Sequence, residues 1–123
     1  MTRRPATRLV ANGGDRYTPS VDRLFETAAK AYGSELVGVV LTGMGDDGRL
    51  GAQAIQASGG RVIAESEETA VIFGMPQQVI RAGAADWVLP LDEIARAIQR
   101  GLGVAADEER VRGEGSASRK ERA

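Results

Sequence analysis

Six consecutive residues hold the densest chemistry of the sequence: Gly43-Met44-Gly45-Asp46-Asp47-Gly48, two adjacent carboxylates set among glycines. They follow Leu36-Val37-Gly38-Val39-Val40-Leu41, a valine-rich run that reads as a strand covered on both faces, as in a parallel sheet. The glycines let the backbone turn sharply into a helix beginning near Arg49. A loop at the carboxyl end of a parallel strand is where α/β proteins place ligands and catalytic groups. Asp46 and Asp47 therefore stand where chemistry is expected. The plainer alternative makes Asp47 an N-cap of the following helix, worth roughly 0.5–2 kcal/mol, and Asp46 a solvated loop charge near the helix dipole.

Two ligand chemistries fit this pattern on paper. The loop matches G-x-G-x-x-G after a strand and before a helix, and Glu65 ends the next strand about where a ribose-binding acid would sit. Against a dinucleotide, both carboxylates occupy the place of its pyrophosphate. Like charges about 4 Å apart repel by roughly 1 kcal/mol in water and about 4 at an effective dielectric near 20. A helix N-terminus returns only about 0.3–1 kcal/mol per charge at exposed sites. Paired carboxylates also suit Mg²⁺ or Ca²⁺, but no third oxygen ligand stands nearby in sequence, so no metal is expected. No other cofactor is expected.

The elements that must position the loop come from one domain, the size that 123 residues with 42% apolar content allow. The net charge of -1 gives no long-range pull towards nucleic acid, and no stretch approaches the roughly 18 apolar residues of a membrane span. No secretory signal is read at Met1, so a cytoplasmic protein without membrane insertion is expected. Composition excludes more. The chain has neither histidine nor cysteine, which rules out a self-contained Ser-His-Asp enzyme, a thiolate nucleophile and cysteine metal sites.

Residues 1–19 read as a loose basic arm with Arg3, Arg4, Arg8 and Arg16 against Asp15; Arg8 to Ala11 before Asn12-Gly13-Gly14 could form half of a hairpin. The arm lacks interleaved aromatics, so nucleic-acid binding is not expected. Ser20 suits the N-cap of a helix over Val21–Tyr32, with Leu24, Phe25, Ala28 and Ala31 on one face and Gly33 as its stop. After the glycine loop, a helix over about Arg49–Ser58 buries Leu50, Ala54, Ile55 and Ala57. A strand, Arg61–Ala64, leads into the polar loop 65–69, where Glu67 and Glu68 read as helix entry. A helix over Ala70–Arg81 is expected to be interrupted at Gly74-Met75-Pro76. The strand Asp86–Leu89, with Trp87 as packing, and a last helix over Leu91–Leu102 follow; Leu91, Ile94, Ala95 and Ile98 take core spacing. The tail Val104–Ala123 balances five acids against five bases and reads as disordered. The alternation predicts an α/β fold, a Rossmann-like three-layer sandwich on a mostly parallel sheet built from residues 20–102.

Several short motifs stand in one order. Pro19-Ser20-Val21-Asp22-Arg23-Leu24-Phe25, Thr42-Gly43-Met44-Gly45-Asp46-Asp47-Gly48, Glu67 to Ala70, Val71-Ile72-Phe73-Gly74-Met75-Pro76 and Gly83-Ala84-Ala85-Asp86 together resemble the catalytic domain of chemotaxis protein-glutamate methylesterases. The resemblance runs from about Tyr17 to Gly103. It implies an α/β hydrolase of chemoreceptor glutamate methyl esters working by a Ser-His-Asp triad, with Asp47 as the triad acid and the Met44 N–H helping to bind the oxyanion. Gly45 belongs to the same turn, and Met44 and Met75 are candidates to line a substrate cleft, although methionines beside apolar strands are by default core filler. The family's serine and histidine lie upstream of the resembling part, and none of the six serines here falls in a comparable glycine-rich turn.

A triad acid orients an imidazole and attacks nothing itself. The leading expectation is therefore the C-terminal part of a methylesterase domain that acts on methylated chemoreceptors, incomplete relative to the family domain and inactive alone: half of a split enzyme whose partner chain brings serine and histidine, a fragment of a longer gene product, or a remnant. One alternative is an interaction module whose exposed sheet edge binds another protein or a second copy. Dinucleotide binding through Gly43, Gly45 and Gly48 is the other.

Overall fold

In the computed structural model of the chain, residues 6–11 and 13–99 are described. The elements run α1 (Val21–Tyr32), a 3-10 turn (Gly33–Glu35), β1 (Val37–Val40), α2 (Arg49–Ala57), β2 (Arg61–Glu65), α3 (Gly74–Arg81), β3 (Trp87–Leu89) and α4 (Leu91–Gln99). The three strands form one parallel sheet in the order β1-β2-β3, with Val40 opposite Ala64 and Ile63 opposite Trp87. Side chains alternate across it, as strand geometry requires. Val40 and Val62 face the layer made by Phe25, Ala29, Ala52, Ile55 and Val79 from α1, α2 and α3. Ile63 and Trp87 face the opposite way, onto Ile94 of α4. This is the expected three-layer α/β arrangement.

The differences from expectation are local. β2, not β1, is the strand buried on both faces; in β1 only Gly38 and Val40 are buried and Leu41 lies outside the strand, 41% exposed. Among the described residues β1 pairs with β2 alone, so its other edge is unpaired. In α2 the inward face is Gly51, Ala52 and Ile55, while Leu50 is exposed. The cause is the closeness of α1: a Cβ on Gly51 would lie 2.5 Å from the Cβ of Phe25. α1 buries Phe25 and Ala29 and leaves Leu24 exposed, and α4 buries Ile94 and Ala97 rather than Leu91 or Ile98. α3 begins at Gly74, so Pro76 lies in its first turn, where a missing N–H breaks no helical bond. Residues 70–73 are loop, and Glu67 and Glu68 belong to a turn ahead of it.

Residues 6–11 form no strand. Further along the arm, the Arg23 guanidinium holds the Asp15 carboxylate through two bonds of 2.7 and 3.0 Å. That contact keeps the Asp15 carboxyl below the usual carboxylate range. The end of the last expected helix and the tail lie outside the described residues, as do Arg3, Arg4 and Asn12.

Candidate active site

The glycine loop is suspended from its neighbours by backbone hydrogen bonds. The Thr42 hydroxyl accepts from the Ile72 N–H at 2.8 Å and donates to the Ile72 carbonyl at 3.1 Å, which also accepts the Gly43 N–H. The Met75 N–H donates to the Gly43 carbonyl at 2.8 Å. Gly74 fits beneath because it has no side chain: a Cβ there would lie 3.0 Å from the Gly43 carbonyl oxygen and 3.2 Å from the Gly45 nitrogen. Gly45 itself turns at φ +92, a region L side chains avoid. The segment Val71 to Pro76, read from the sequence as part helix, is in fact the loop's support.

Met44 is lifted clear of this scaffold. Its side chain is 76% exposed, and among the described residues its N–H makes no hydrogen bond although both polar groups of Gly43 do. Met75 is half-buried and sits under Gly43, joining the core beside Val79.

Glu65 lies on the far side of the loop. It is 2% exposed; one oxygen accepts the Thr42 N–H at 2.9 Å and the other the Thr69 hydroxyl at 2.7 Å. The same Thr69 oxygen accepts the Leu91 N–H at the start of α4. This acid ties the ends of β1 and β2 to α4, and it is not displayed for a ribose.

The two adjacent aspartates differ completely. Asp46 is half-buried and meets the upstream segment: Tyr17 donates its hydroxyl to one oxygen at 3.1 Å, and the Arg16 guanidinium, stacked 5.0 Å over the Tyr17 ring, pairs with the carboxylate at 3.4 Å. The Tyr17 hydrogen bond, with Arg16 second among the attractions, holds the Asp46 carboxyl below its ordinary value. Asp46 is thus a docking point for residues 16 and 17, not a freely solvated charge.

Asp47 is buried, 6% exposed, and it does not cap its own helix. One oxygen accepts the Val21 N–H at 2.7 Å and the other the Asp22 N–H at 2.9 Å, both in the first turn of α1. Each oxygen keeps a second lone-pair direction, since an ionised carboxylate offers about four. The corresponding donors of α2, the Gly48 and Gly51 N–H groups, are taken by the Asp22 carboxylate at 3.0 and 2.7 Å. The helix start that a pyrophosphate would need is therefore filled by an internal anion, and with Glu65 enclosed the dinucleotide reading is not supported. Among the described residues no group of three or more metal-ligating side chains stands together.

Asp47, Met44, Gly45 and Met75 are brought together in one loop and its support. Tyr17, Asp22 and Thr42 were not singled out for the site from sequence, and Glu65 was read there for a ribose that it does not face. The loop partners that hold Tyr17, Asp22 and Thr42 are 23 to 30 residues away in the chain, and the one local hint is an acid in the first turn of a helix that lacks a capping box.

This arrangement has relatives. The sequence model of the family described as CheB methylesterase matches residues 2–98. The chain belongs to the CheB methylesterase family. Its match reaches upstream of Tyr17 and so includes the residues that dock on Asp46. A protein-glutamate methylesterase/protein-glutamine glutaminase of Geobacter sulfurreducens is 46% identical over 101 residues, which is 81% of this chain and 27% of that protein. One from Moorella thermoacetica is 55% identical over 82 residues, 67% of this chain and 19% of that protein. The crystal structure of the CheB methylesterase catalytic domain of Thermotoga maritima superposes with a TM-score of 0.62 at 48% identity, covering 65% of this chain and 42% of that one. The chain thus spans about a quarter of the length of the curated relatives and less than half of the solved domain. Among the described residues no helix is long and apolar enough to cross a membrane.

Proposed function

We propose that this chain supplies the acid and the oxyanion loop of a protein-glutamate methylesterase site whose serine and histidine lie outside these 123 residues. One observation carries the reading. A buried carboxylate, Asp47, fixed on both oxygens, stands three residues from the Met44 N–H, which makes no hydrogen bond among the described residues, and these 123 residues contain no histidine. The share of the solved domain left uncovered supports it, because the remaining groups of a triad must come from outside these 123 residues.

In the assembled site the imidazole donates its N–H to Asp47 and takes the proton of the serine as that oxygen attacks the ester carbonyl. The Met44 N–H donates to the oxygen that becomes negative, where one such donor contributes about 10²–10³ in rate. The imidazolium returns the proton to the departing methoxide, releasing methanol. Water then attacks the acyl-serine by the same proton route and leaves a glutamate carboxylate. The relatives' second printed activity, on glutamine, has the same course with ammonia leaving. The edge of β1 that is unpaired among the described residues is where the remaining strands of the domain add, so the edge serves assembly. The substrate is a methylated chemoreceptor and the setting is the cytoplasm.

The test is methanol release from methylated receptor by this chain alone, by a Ser- and His-bearing upstream fragment of a relative, and by the two mixed. Activity only in the mixture, lost with Asp47→Asn, supports the proposal. Hydrolysis by this chain alone, or a stable but inactive complex, overturns it.

A further inference from the structure

Asp22 and Asp47 cap each other's helices. Asp47, in the loop that starts α2, holds two N–H groups of α1, and Asp22, in the first turn of α1, holds two N–H groups of α2, all four bonds between 2.7 and 3.0 Å. A capping acid ordinarily serves its own helix. Here the exchange is possible because the two helix starts lie against each other: a Cβ on Gly51 would be 3.1 Å from the Asp22 Cα as well as striking Phe25. Two neighbouring carboxylates repel, and each is offset by the positive end of the opposite helix. The remaining α1 donors are met locally, Arg23 N–H by the Ser20 hydroxyl and Leu24 N–H by the Ser20 carbonyl.

We infer that Asp22 is a positioning residue for Asp47: by holding the Gly48 and Gly51 N–H groups it fixes the turn from which the Asp47 carboxylate projects. The inference rests on reading Asp47 as the orienting acid, but its geometry is testable without catalysis. Removing the Asp22 side chain leaves untouched both donors to Asp47, the backbone N–H groups of residues 21 and 22. If Asp22 merely caps α2, those donors stay protected. If it positions Asp47, the carboxylate shifts and the Val21 N–H is released.

The experiment is amide hydrogen exchange on the full chain, residue by residue, for Asp22→Ala and Asp22→Asn. Asp22→Ala is expected to speed exchange about tenfold at Gly48, Gly51 and Val21 together, with Ala29 unchanged. Asp22→Asn, which keeps an oxygen at the same reach, is expected to restore Val21 to within about threefold. Faster exchange at Gly48 and Gly51 with Val21 unmoved overturns the inference. Should Asp22→Ala fail to fold, Asp22→Ser, whose shorter side chain loosens the same two bonds, decides: a rise at Gly51 matched at Val21 supports positioning, and a rise at Gly51 with Val21 unmoved overturns it. In the two-chain ester assay the Ala variant is expected to lose kcat about tenfold at constant KM, with Asn restoring it. An inactive mixture with the unaltered chain sinks the proposed function and leaves the exchange result standing.

Discussion

Thr42 and Ile72 exchange a pair of hydrogen bonds, the Thr42 hydroxyl accepting from the Ile72 N–H and donating to the Ile72 carbonyl. The pairing makes one hydroxyl the hinge between the end of β1 and the segment leading to α3, and so sets the height of the Met44 turn. Thr42→Val keeps the shape and removes both bonds. At about 0.5–1.5 kcal/mol per bond, thermal unfolding should fall measurably, whereas Thr42→Ser should retain most of the stability. Equal loss in both variants would show that the methyl packing, not the hydroxyl, matters.

Glu65 is the buried counterpart of that hinge. Glu65→Ala leaves the Thr42 N–H and the Thr69 hydroxyl without their acceptor, at about 1–3 kcal/mol for each group left unsatisfied. Glu65→Gln keeps an oxygen for Thr42 and presents an amide to Thr69, whose oxygen already accepts the Leu91 N–H. The urea midpoint should therefore order wild type above Gln above Ala. A Gln variant as unstable as Ala would mean that the negative charge, rather than acceptor geometry, holds this corner.

Docking of residues 16 and 17 on Asp46 carries a pH dependence. The Asp46 carboxyl is lowered from 3.8, chiefly by the Tyr17 hydroxyl and then by Arg16. A depressed carboxyl pKa contributes stability that is present above the unfolded value and lost as pH falls through the folded value. The Tyr17 ring resonances should thus titrate with a midpoint below 3.8, and Tyr17→Phe should move the Asp46 midpoint upward. A Tyr17 midpoint at or above the ordinary value would contradict the contact.

Much of this was legible in the sequence where causes are local. Ser20 and Gly33 bound α1 because a cap and a stop act within a turn, and the short apolar runs mark β1 and β2 because a strand layered between helices reads as an unbroken apolar stretch. The start of α3 was misread because Ile72 bonds to Thr42 and Gly43, partners that helical spacing does not contain. Gly51 was overlooked because apolar periodicity counts large side chains, and here the inward position is defined by having none. Asp47 showed its type and place but not its bonds, which cross 25 and 26 residues to α1.

Those bonds predict unequal tolerance of the same substitution at the two aspartates. At Asp22 both donors converge on one oxygen, so Asp22→Asn can turn its carbonyl to Gly48 and Gly51 and keep both. At Asp47 the donors fall on different oxygens, so Asp47→Asn must set its NH₂ against either the Val21 or the Asp22 N–H. Two opposed donors at a buried site cost about 1–3 kcal/mol. Denaturant unfolding of this chain alone should therefore show Asp47→Asn clearly less stable than Asp22→Asn. Equal stability would mean that Asp47 is held less firmly than its two short bonds indicate, and an orienting acid free to swing would hold no imidazole in place.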